Sequence, residues 1–515
     1  MAGKVLARVI LSRLNSYVAE EVCPESQCGF RKGRGTIDML FVARQLQEKA
    51  REQQRDLCIA FIDLSKAFDT VDRQLLWQVL AKFGCPIKFV KMIRAFHSGM
   101  LATVFVGGEE SEPFDVGVGV KQGCAMAPVL FNIFLAAAHI LFNQRLSSEV
   151  GTVITYRLDG SLFNLQRLRA RTKVSYERIC ELQYADDCAL LAHTPAALQH
   201  SLDTLKSVYT DLGLVINATK TEVLYQWYAP PPHVPDINFE TVPLKVTNDF
   251  IYLGGILSSD CQTDNEVNRR ICKASAAFAR IRHRVVNSHN LKLATKVSVY
   301  RAICLSVLLY GAETITIYSR HIKLFERFHI RCVREMLGLT WRDKVTHIDM
   351  LARVGLPSIE CLIGKNQLRW VGHVRRMSEE RLPRVVLYGQ LSEGVRPAHG
   401  PKKRYKDRIK KTMKDFGLIP ELLEEESENR SMWRSKCHRG ADFFHSNWSQ
   451  AREARRARRH RARELPIEED PGLMCPYPGC GYQCGSRIGL HSHMTTHTMG
   501  PEAERHVISD IAGPP

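Results

Sequence analysis

Three aspartates at the ends of apolar runs are the residues best suited to chemistry in this sequence. Asp63 closes the run IAFIDL, and Asp186 and Asp187 lie between the β-like runs ERICELQ and CALLA. Adjacent carboxylates repel and raise each other's pKa unless a cation neutralises them. Mg²⁺ takes carboxylate and phosphate oxygens as ligands. Three carboxylates from two strands therefore predict a two-metal site for phosphoryl or nucleotidyl transfer, although an isolated Asp-Asp pair is also typical of a simple turn.

A second group of residues, near the end of the chain, has the spacing of a zinc site. These residues are Cys475, Cys480, His493 and His497. Their spacing is that of a Cys2His2 zinc finger. Leu490 takes the usual apolar core position of such a finger, but Cys484 stands where an aromatic residue is expected. Cys484 in place of Cys475 or Cys480 is therefore a rival ligand.

The elements that would position the aspartates alternate between strand-like and helical runs over residues 57–225. Residues 57–64 and 188–192 have the composition of buried strands. Residues 73–84 and 127–142 have the apolar spacing of helices. This alternation predicts an α/β or α+β fold.

Beyond this region the pattern changes. Residues 228–235 are rich in proline and predict a linker, and residues 250–257 predict a hairpin with glycine at its bend. From residue 264 the chain is helical and basic. A Pro/Gly-rich basic segment at 389–403 predicts another linker, and an Arg-dense run at 452–463 precedes the Cys/His module.

Composition restricts the class of protein. Of 515 residues, 45% are apolar and 24% are charged, which excludes a disordered or fibrous chain. The formal net charge of +18 favours a polyanionic partner such as nucleic acid. The sixteen cysteines mostly stand singly in apolar runs, which indicates a reduced, intracellular setting. The apolar stretches 131–142 and 299–310 are too short to span a membrane, and the basic amphipathic start is typical of a surface helix or a transit peptide.

Seven blocks, in order, resemble the reverse transcriptases of non-LTR (LINE-type) retrotransposons. AGKVLARVILSRLN and QCGFRKGRGTIDML are similar to fingers blocks, FIDLSKAFDTVD to palm motif A and GVKQGCAMAPVLFNIF to motif B. YADD is similar to motif C, LGLVINATKTEVL to motif D and FIYLGGIL to the primer-grip motif E. The resemblance continues through LRWVGHVRRM to the Cys/His module. The family's first fingers block and its endonuclease domain are not found in this sequence, which predicts a 5′-truncated copy.

The resemblance implies an α+β right-hand polymerase with an antiparallel palm sheet, a helical thumb and a C2H2 zinc finger. The implied regions are partial fingers (1–56), palm (57–227), linker and primer-grip hairpin (228–260), helical thumb and post-polymerase region (261–380), basic linker (381–465), zinc finger (466–500) and tail (501–515). The implied function is RNA-directed DNA synthesis. Its partners would be an RNA template, a DNA primer or target and deoxynucleotides, without a membrane, and its location the nucleus with cytoplasmic passage.

The resemblance also implies the catalytic residues. Asp63, Asp186 and Asp187, with the backbone carbonyl of Leu64, would hold two Mg²⁺ ions. Lys220 would protonate the leaving pyrophosphate as a general acid. The alternative for Lys220 is an exposed lysine on a loop.

Further residues would bind the nucleotide. Phe68 would pack beneath the sugar and reject a 2′-hydroxyl, or else be a plain core residue. The remaining nucleotide contacts implied are Gln122 and Gly123, which would also touch the template, and Arg31, Lys32 and Arg34, which would bind the triphosphate.

Two rival functions remain open at this stage. One is a catalytically weak or inactive relic that only binds RNA or DNA, and the other is an intron-type maturase. The basic segments 401–404 and 452–463 are typical of phosphate-binding arms, nuclear-import signals or solvated helices. Trp370 and His373 in LRWVGHVRRM are candidates to stack on a base, although the pattern favours a core position for Trp370.

Overall fold

The computed structural model describes residues 2–16, 20–121, 123–170, 172–397, 403–464, 473–485 and 487–498. The chain forms two compact units, residues 1–445 and 446–515. The first unit mixes helices with β-sheets, as the sequence predicts, and contains the three aspartates.

The helices are α1 Ala2–Leu14, α2 Glu20–Val22, α3 Thr36–Glu52, α4 Arg73–Lys82, α5 Ile87–Ala95, α6 Ala127–Arg145, α7 Pro195–Asp211, α8 Asp264–Ile281, α9 Leu293–Tyr300, α10 Ser306–Leu308, α11 Ser319–Met336, α12 His347–Val354, α13 Ile359–Arg375, α14 Leu382–Tyr388, α15 Tyr405–Asp415, α16 Leu423–Glu426, α17 Arg430–Glu464 and α18 Arg487–Thr498. The strands are β1 Leu57–Ile62, β2 Leu101–Ala102, β3 Phe105–Val106, β4 Glu109–Glu110, β5 Phe114–Asp115, β6 Thr152–Tyr156, β7 Ser175–Ile179, β8 Glu181–Tyr184, β9 Asp187–Ala192, β10 Glu222–Gln226, β11 Asn238–Phe239, β12 Val242–Pro243, β13 Lys245–Val246, β14 Asp249–Tyr252, β15 Gly255–Ser258 and β16 Gln390–Leu391.

A five-stranded sheet, which we call the palm sheet, has the strand order β13-β10-β1-β9-β8. Neighbouring strands are antiparallel except β10 and β13, which run parallel. All six residues of the central strand β1 are buried. Successive side chains of a strand point to opposite faces. Cys58, Ala60 and Ile62 therefore enter one apolar core, while the side chains between them enter the second.

The helix predicted over 127–142 is α6, which packs against α4 and α7 beneath the palm sheet's first core. At 19 residues it is longer than the apolar stretch in the sequence, and its length and composition alone would suit a membrane span. However, 61% of its apolar window is buried inside the protein. Phe131 and Phe134 are completely buried there. The apolar character of α6 is therefore that of a core helix.

The β-like run ERICELQ is divided between two strands of different sheets. β7 pairs with β6 in a three-stranded sheet that also contains β16, and β8 joins the palm sheet beside β9. Cys180 lies between the two strands, and its carbonyl accepts from the amide of Leu191 in β9 at 2.8 Å. Only β8 positions the aspartate pair.

Helix α3 connects the palm to the residues near 390. Most of α3 is buried, including several charged side chains. Nζ of Lys49 donates to the carbonyl of Gly389 at 2.9 Å, and the Glu48 carboxylate accepts from the amide of Tyr405 at 2.8 Å. Buried charges are tolerated where such partners are present. These bonds hold the segment after residue 381 on the palm.

The prediction of a basic linker over 381–465 is therefore wrong for most of that range. All residues of α14 are buried, and the α14 helix packs on α3. β16 pairs with β6, and α15 contributes Tyr405, Ile409 and Met413 to the second core. The many Arg and Lys residues suggested a solvated connection, but their apolar neighbours are spaced at helical intervals and are buried. From residue 430 to 464 the chain is the single helix α17.

The predicted hairpin at 250–257 is formed by β14 and β15. Leu253 and Gly254 at the bend both have positive φ, 47° and 81°, as a two-residue hairpin turn requires. Phe250 stacks on Phe61 of the palm sheet with ring centroids 3.8 Å apart. Buried Glu266 of α8 accepts from the amide of Ile256 at 2.8 Å. The hairpin is thus fixed between the palm sheet and the first of the helices predicted after residue 264.

The second unit contains the Cys/His module and the end of α17. An isolated bridge between Met474 and Gln483 forms a small hairpin that precedes α18. The Arg-dense run 452–463 belongs to α17, and its residues up to 461 are exposed. Arg452 lies over the ring of Trp448, with 4.3 Å to the ring centroid. The run is therefore a solvated helix, one of the alternatives that its composition allows.

Candidate active site

The register of the palm sheet brings the three aspartates together. Ile62 on β1 is paired with Cys188 on β9, so Asp63 and Asp187 follow as neighbours at the same end of adjacent strands. Asp186 precedes Asp187 in the turn between β8 and β9. The sequence predicted this convergence from two strands, and the structure shows it. The three carboxylates form an acidic cluster at one edge of the sheet.

The cluster is electrostatically strained when no cation is present. The pKa of Asp187 is raised from 3.8 to about 6, first by burial and then by the negative charges of Asp186 and Asp63. Asp187 nevertheless has solvent access on its open side. The Oδ2 atom of Asp63 is enclosed and accepts no hydrogen bond from the described residues. Carboxylates held together in this way are the donor set that a divalent cation neutralises.

The segment after residue 216 completes the surroundings of Asp63. The backbone carbonyl of Asp63 accepts from the amide of Asn217 at 2.8 Å, and Leu64 forms an isolated bridge with Ile216. Nζ of Lys220 lies 3.7 Å from Oδ2 of Asp63. The Lys220 side chain is 68% exposed, so its ammonium can reach a ligand above the carboxylates. The structure thus places Lys220 beside the acidic cluster.

The turn that carries Asp186 and Asp187 is clamped by a glutamine that the sequence analysis did not single out. Oε1 of Gln27 accepts from the amides of Gly29 and Ala185, each at 2.8 Å. Nε2 of Gln27 donates to the carbonyl of Ala185 at 3.1 Å. Ala185 has a φ of 57°, a left-handed conformation that costs energy for a residue other than glycine. Gln27, only 1% exposed, stabilises the turn in this conformation.

Gly29 allows the clamp to approach this closely. A Cβ at this position would lie 2.2 Å from the amide nitrogen of Ala185, so no larger residue fits. The carbonyl of Gly29 accepts a hydrogen bond from Asn132 of α6. The QCGF block was the only sign of this clamp in the sequence. The contacts with Ala185 explain why a glutamine and a glycine stand at positions 27 and 29.

Phe68 lies in an aromatic stack rather than alone. Its ring stacks on Phe131 with centroids 4.5 Å apart, and Phe30 meets it edge-on at 6.4 Å. Phe68 is half-buried against the first core. One face of its ring is thus supported by α6, which makes its position rigid.

The loop of the motif B block is held by one arginine. The Arg73 guanidinium donates to the carbonyls of Val116, Gly119 and His97, at 2.7, 2.7 and 3.0 Å. Gly123 is exposed and has a φ of 78°, a conformation that favours glycine. Gln122 lies outside the described residues.

Comparison with known proteins identifies the family of the region that contains these residues. A family model described as "Reverse transcriptase (RNA-dependent DNA polymerase)" matches residues 1–257, which include all three aspartates. The chain belongs to the reverse transcriptase family.

The chain is similar to several proteins of mobile elements. It is 23% identical over 361 residues to the RNA-directed DNA polymerase from mobile element jockey of Drosophila funebris, covering 67% of this chain and 36% of the relative. It is 26% identical over 426 residues to the Pol polyprotein from the type-2 retrotransposable element R2DM of Drosophila melanogaster, covering 78% and 35%. The chain thus spans about a third of the length of these relatives. Among solved structures, apo telomerase from Candida tropicalis matches 75% of this chain and 60% of its own, with 13% identity and a TM-score of 0.34.

The basic loop GFRKGRGT uses two of its three predicted ligand-binding cations within the fold. Arg31 donates to the carbonyls of Pro24 and Gln27, at 2.5 and 3.0 Å. Arg34 forms an ion pair with Glu25. Lys32 is exposed and has no ion pair within the described part of the chain. Of the three residues predicted to bind triphosphate, Lys32 is the one whose charge is open to a ligand.

The Cys/His module brings together the predicted zinc ligands. The ligand atoms of Cys475, Cys480, His493 and His497 all lie within 4.8 Å of one another. Cys484 is buried, and its amide donates to the carbonyl of Leu473 at 3.0 Å. It is not part of the four-residue group, which disfavours the rival ligand set.

Trp370 has features of both predicted roles, a core residue and a residue that stacks on a base. Its ring meets Phe41 edge-on at 5.6 Å and packs against the second core. It is only half-buried, however, and it lines a cleft together with His373.

Proposed function

We propose that this chain catalyses RNA-templated DNA synthesis, adding deoxynucleotides to the 3′ end of a primer. In this reaction the primer 3′-hydroxyl attacks the α-phosphate, the new phosphodiester forms, and pyrophosphate leaves. The observation that carries the proposal is the pairing of Ile62 with Cys188, which sets Asp63 beside Asp187 at one end of adjacent strands. Membership of the reverse transcriptase family supports the choice of reaction.

The residues of the acidic cluster fit a pair of divalent cations. Asp63, Asp186 and Asp187 would hold two Mg²⁺ ions, with the backbone carbonyl of Leu64 as a further oxygen. When bound, such ions stabilise the attacking and leaving oxygens of the displacement. Oδ2 of Asp63 is enclosed and accepts no hydrogen bond from the described residues, and the pKa of Asp187 is raised. Both observations support this donor set.

Residues around the cluster have separate roles in the proposal. Lys220 lies beside Asp63 and is exposed, so its ammonium would protonate the leaving pyrophosphate. Phe68, supported by Phe131, would pack beneath the sugar and exclude a 2′-hydroxyl. Lys32 would attract the triphosphate, while Arg31 and Arg34 brace the loop around it. Gly123 and Gln122 would contact the incoming nucleotide and the template.

The test is Mg²⁺-dependent incorporation of deoxynucleotides on a primed RNA template. The variant Asp186→Asn, Asp187→Asn removes two charges from the cluster and should reduce incorporation to background. The matched control Asp203→Asn, Asp211→Asn removes two charges from the exposed face of α7 and should retain the incorporation of the natural chain.

The second candidate function, nucleic-acid binding without catalysis, is favoured by the net charge of +18. The same experiment separates the two. A natural chain that binds the primed template but incorporates no nucleotide refutes the polymerase proposal and supports the binding function.

The Cys/His module supports a zinc site in this proposal. Thiolate and imidazole ligands in a group of four are the donor set that Zn²⁺ prefers. Cys475, Cys480, His493 and His497 would hold the ion and fold the short segment around it. The location in the nucleus with cytoplasmic passage stays a prediction.

A further inference from the structure

A cleft of about 570 Å³ lies between α13 and the beginning of α17, on elements that contribute nothing to the acidic cluster. We call it the arginine cleft. Beside the buried Trp433, its basic and aromatic lining includes Arg369, Trp370, His373, Arg376, Arg430 and Arg434. Its volume is in the range of ligand sites. The motif LRWVGHVRRM supplies four of these residues and has no role in the proposed polymerase chemistry.

The walls of the cleft are fixed by close packing. A Cβ on Gly372 would lie 2.1 Å from Nε1 of Trp433, so only glycine lets the α17 helix approach α13 here. Nε1 of Trp433 donates to the carbonyl of Leu368 at 2.9 Å, and Trp433 is 1% exposed. The spacing between the two helices is thus set by buried contacts, which fix the position of the more exposed residues that line the cleft.

The cationic groups of the cleft lack acidic partners. In the described part of the chain, Arg369, Arg376, Arg430 and Arg434 have no carboxylate within 4.0 Å. Glu313 is the acidic residue among those that line the cleft. The pKa of Arg376 is lowered, first by burial and then by the charge of Arg430. Arg376 donates to the carbonyl of Ser427 at 2.5 Å, but no ion pair within the described residues neutralises any of the four arginines.

The position of Arg430 at a helix start is a second unfavourable electrostatic feature, in addition to the repulsion between the arginines. It is the first residue of α17, and the first turn of this 35-residue helix contains no acidic residue. A helix begins with a positive partial charge, so a cation there is unfavourable and an anion is favourable. Arg434 follows one turn later on the same side. A bound polyanion would relieve both the repulsion between the arginines and the unfavourable helix end.

We propose that the arginine cleft binds phosphodiester groups of a single-stranded nucleic acid. Guanidinium groups bind phosphate oxygens in a bidentate manner, and four of them line this one cleft. Trp370 and His373 line the same cleft and offer ring surface to a base. The proposal extends the proposed function but does not depend on catalysis, because it concerns binding of the strand.

The test is binding of a fluorescent single strand to the full chain, measured by anisotropy without nucleotides, at salt concentrations from about 50 to 200 mM. RNA and DNA strands of the same sequence are separate arms. Each phosphate neutralised on a single strand contributes about 0.7 to the slope of log affinity against log salt. The variant Arg430→Gln, Arg434→Gln should therefore lower the slope by about 1.4 and weaken binding at low salt.

The matched control is Arg145→Gln, Arg282→Gln, which removes the same charge from exposed arginines already paired with Asp211 and Glu335. Its slope should equal that of the natural chain. A loss of slope with RNA alone, with DNA alone or with both supports the proposal and identifies the strand. An equal slope for the two double variants in both arms overturns it, as does a natural chain that binds neither strand. A natural chain that incorporates no nucleotide, while Arg430→Gln, Arg434→Gln still lowers the salt slope of strand binding, would refute only the polymerase function.

Discussion

The replacement Gln27→Met tests whether the clamp on the aspartate turn matters for catalysis. Methionine keeps the approximate size of the side chain but removes the acceptor that two buried amides share, those of Gly29 and Ala185. An unsatisfied buried donor costs about 1–3 kcal/mol. We expect a loss of about 3 kcal/mol in the free energy of unfolding if the turn stays in place. If the turn moves instead, a displacement of about 1 Å can lower the rate about 100-fold.

The assay combines urea unfolding with single-turnover incorporation at saturating Mg²⁺. The control is Gln367→Met in α13, where a fully buried glutamine donates to the carbonyl of Ile315 at 2.9 Å. We expect this control to lose stability but to keep its rate of incorporation. The reasoning is refuted if Gln27→Met is as stable and as fast as the natural chain. It is also refuted if both variants lose the same fraction of activity, because the effect would then be one of stability alone.

Three further predictions concern the proposed nucleotide site, a buried histidine of α11 and the proposed zinc site. Phe68→Val should reduce discrimination against ribonucleotides about 10- to 200-fold in kcat/KM. Phe68→Tyr keeps the ring and should retain this discrimination. Equal discrimination in both variants would mean that Phe68 is only a core residue. Burial lowers the pKa of His329 from 6.5 to about 4. Between pH 6.5 and 4 this histidine is therefore protonated in the unfolded chain but neutral in the folded one. About 3 kcal/mol of the free energy of unfolding should be lost as the pH falls through this range. His329→Gln should remove that part of the pH dependence in urea titrations, and an unchanged pH profile would contradict it. Cys480→Ser should release one equivalent of Zn²⁺ to a chromogenic chelator and Cys484→Ser should not; the reverse result would establish the rival ligand set.

The sequence alone was sufficient for the parts of the protein that depend on local pattern. The buried strand before Asp63, the helix at 127–142 and the hairpin at 250–257 follow from apolar spacing and from glycine at a bend. The aspartates were recognised because adjacent carboxylates between apolar strands are costly without a cation. The grouping of Cys475, Cys480, His493 and His497 follows from spacing within one short segment, since the chain needs only a local turn to bring them together.

Contacts between distant segments could not be predicted in this way. The charges of residues 381–465 predict a basic linker, whereas Lys49 and Glu48 of a distant helix bind the backbone of Gly389 and Tyr405 within that range. The role of Gln27 depends on its position beside Ala185, which is 158 residues away. A glutamine or a lone glycine carries no pattern that indicates such a partner.

The sequence by itself thus determined which groups could do chemistry and which strands would carry them. The tertiary structure alone decided which of those groups are open to a ligand. Arg31 and Lys32 are neighbours with the same charge, yet one is committed to the carbonyls of Pro24 and Gln27 and the other is exposed. The physical reason is that buried cations must find partners within the fold, and the partners are set by how distant segments pack.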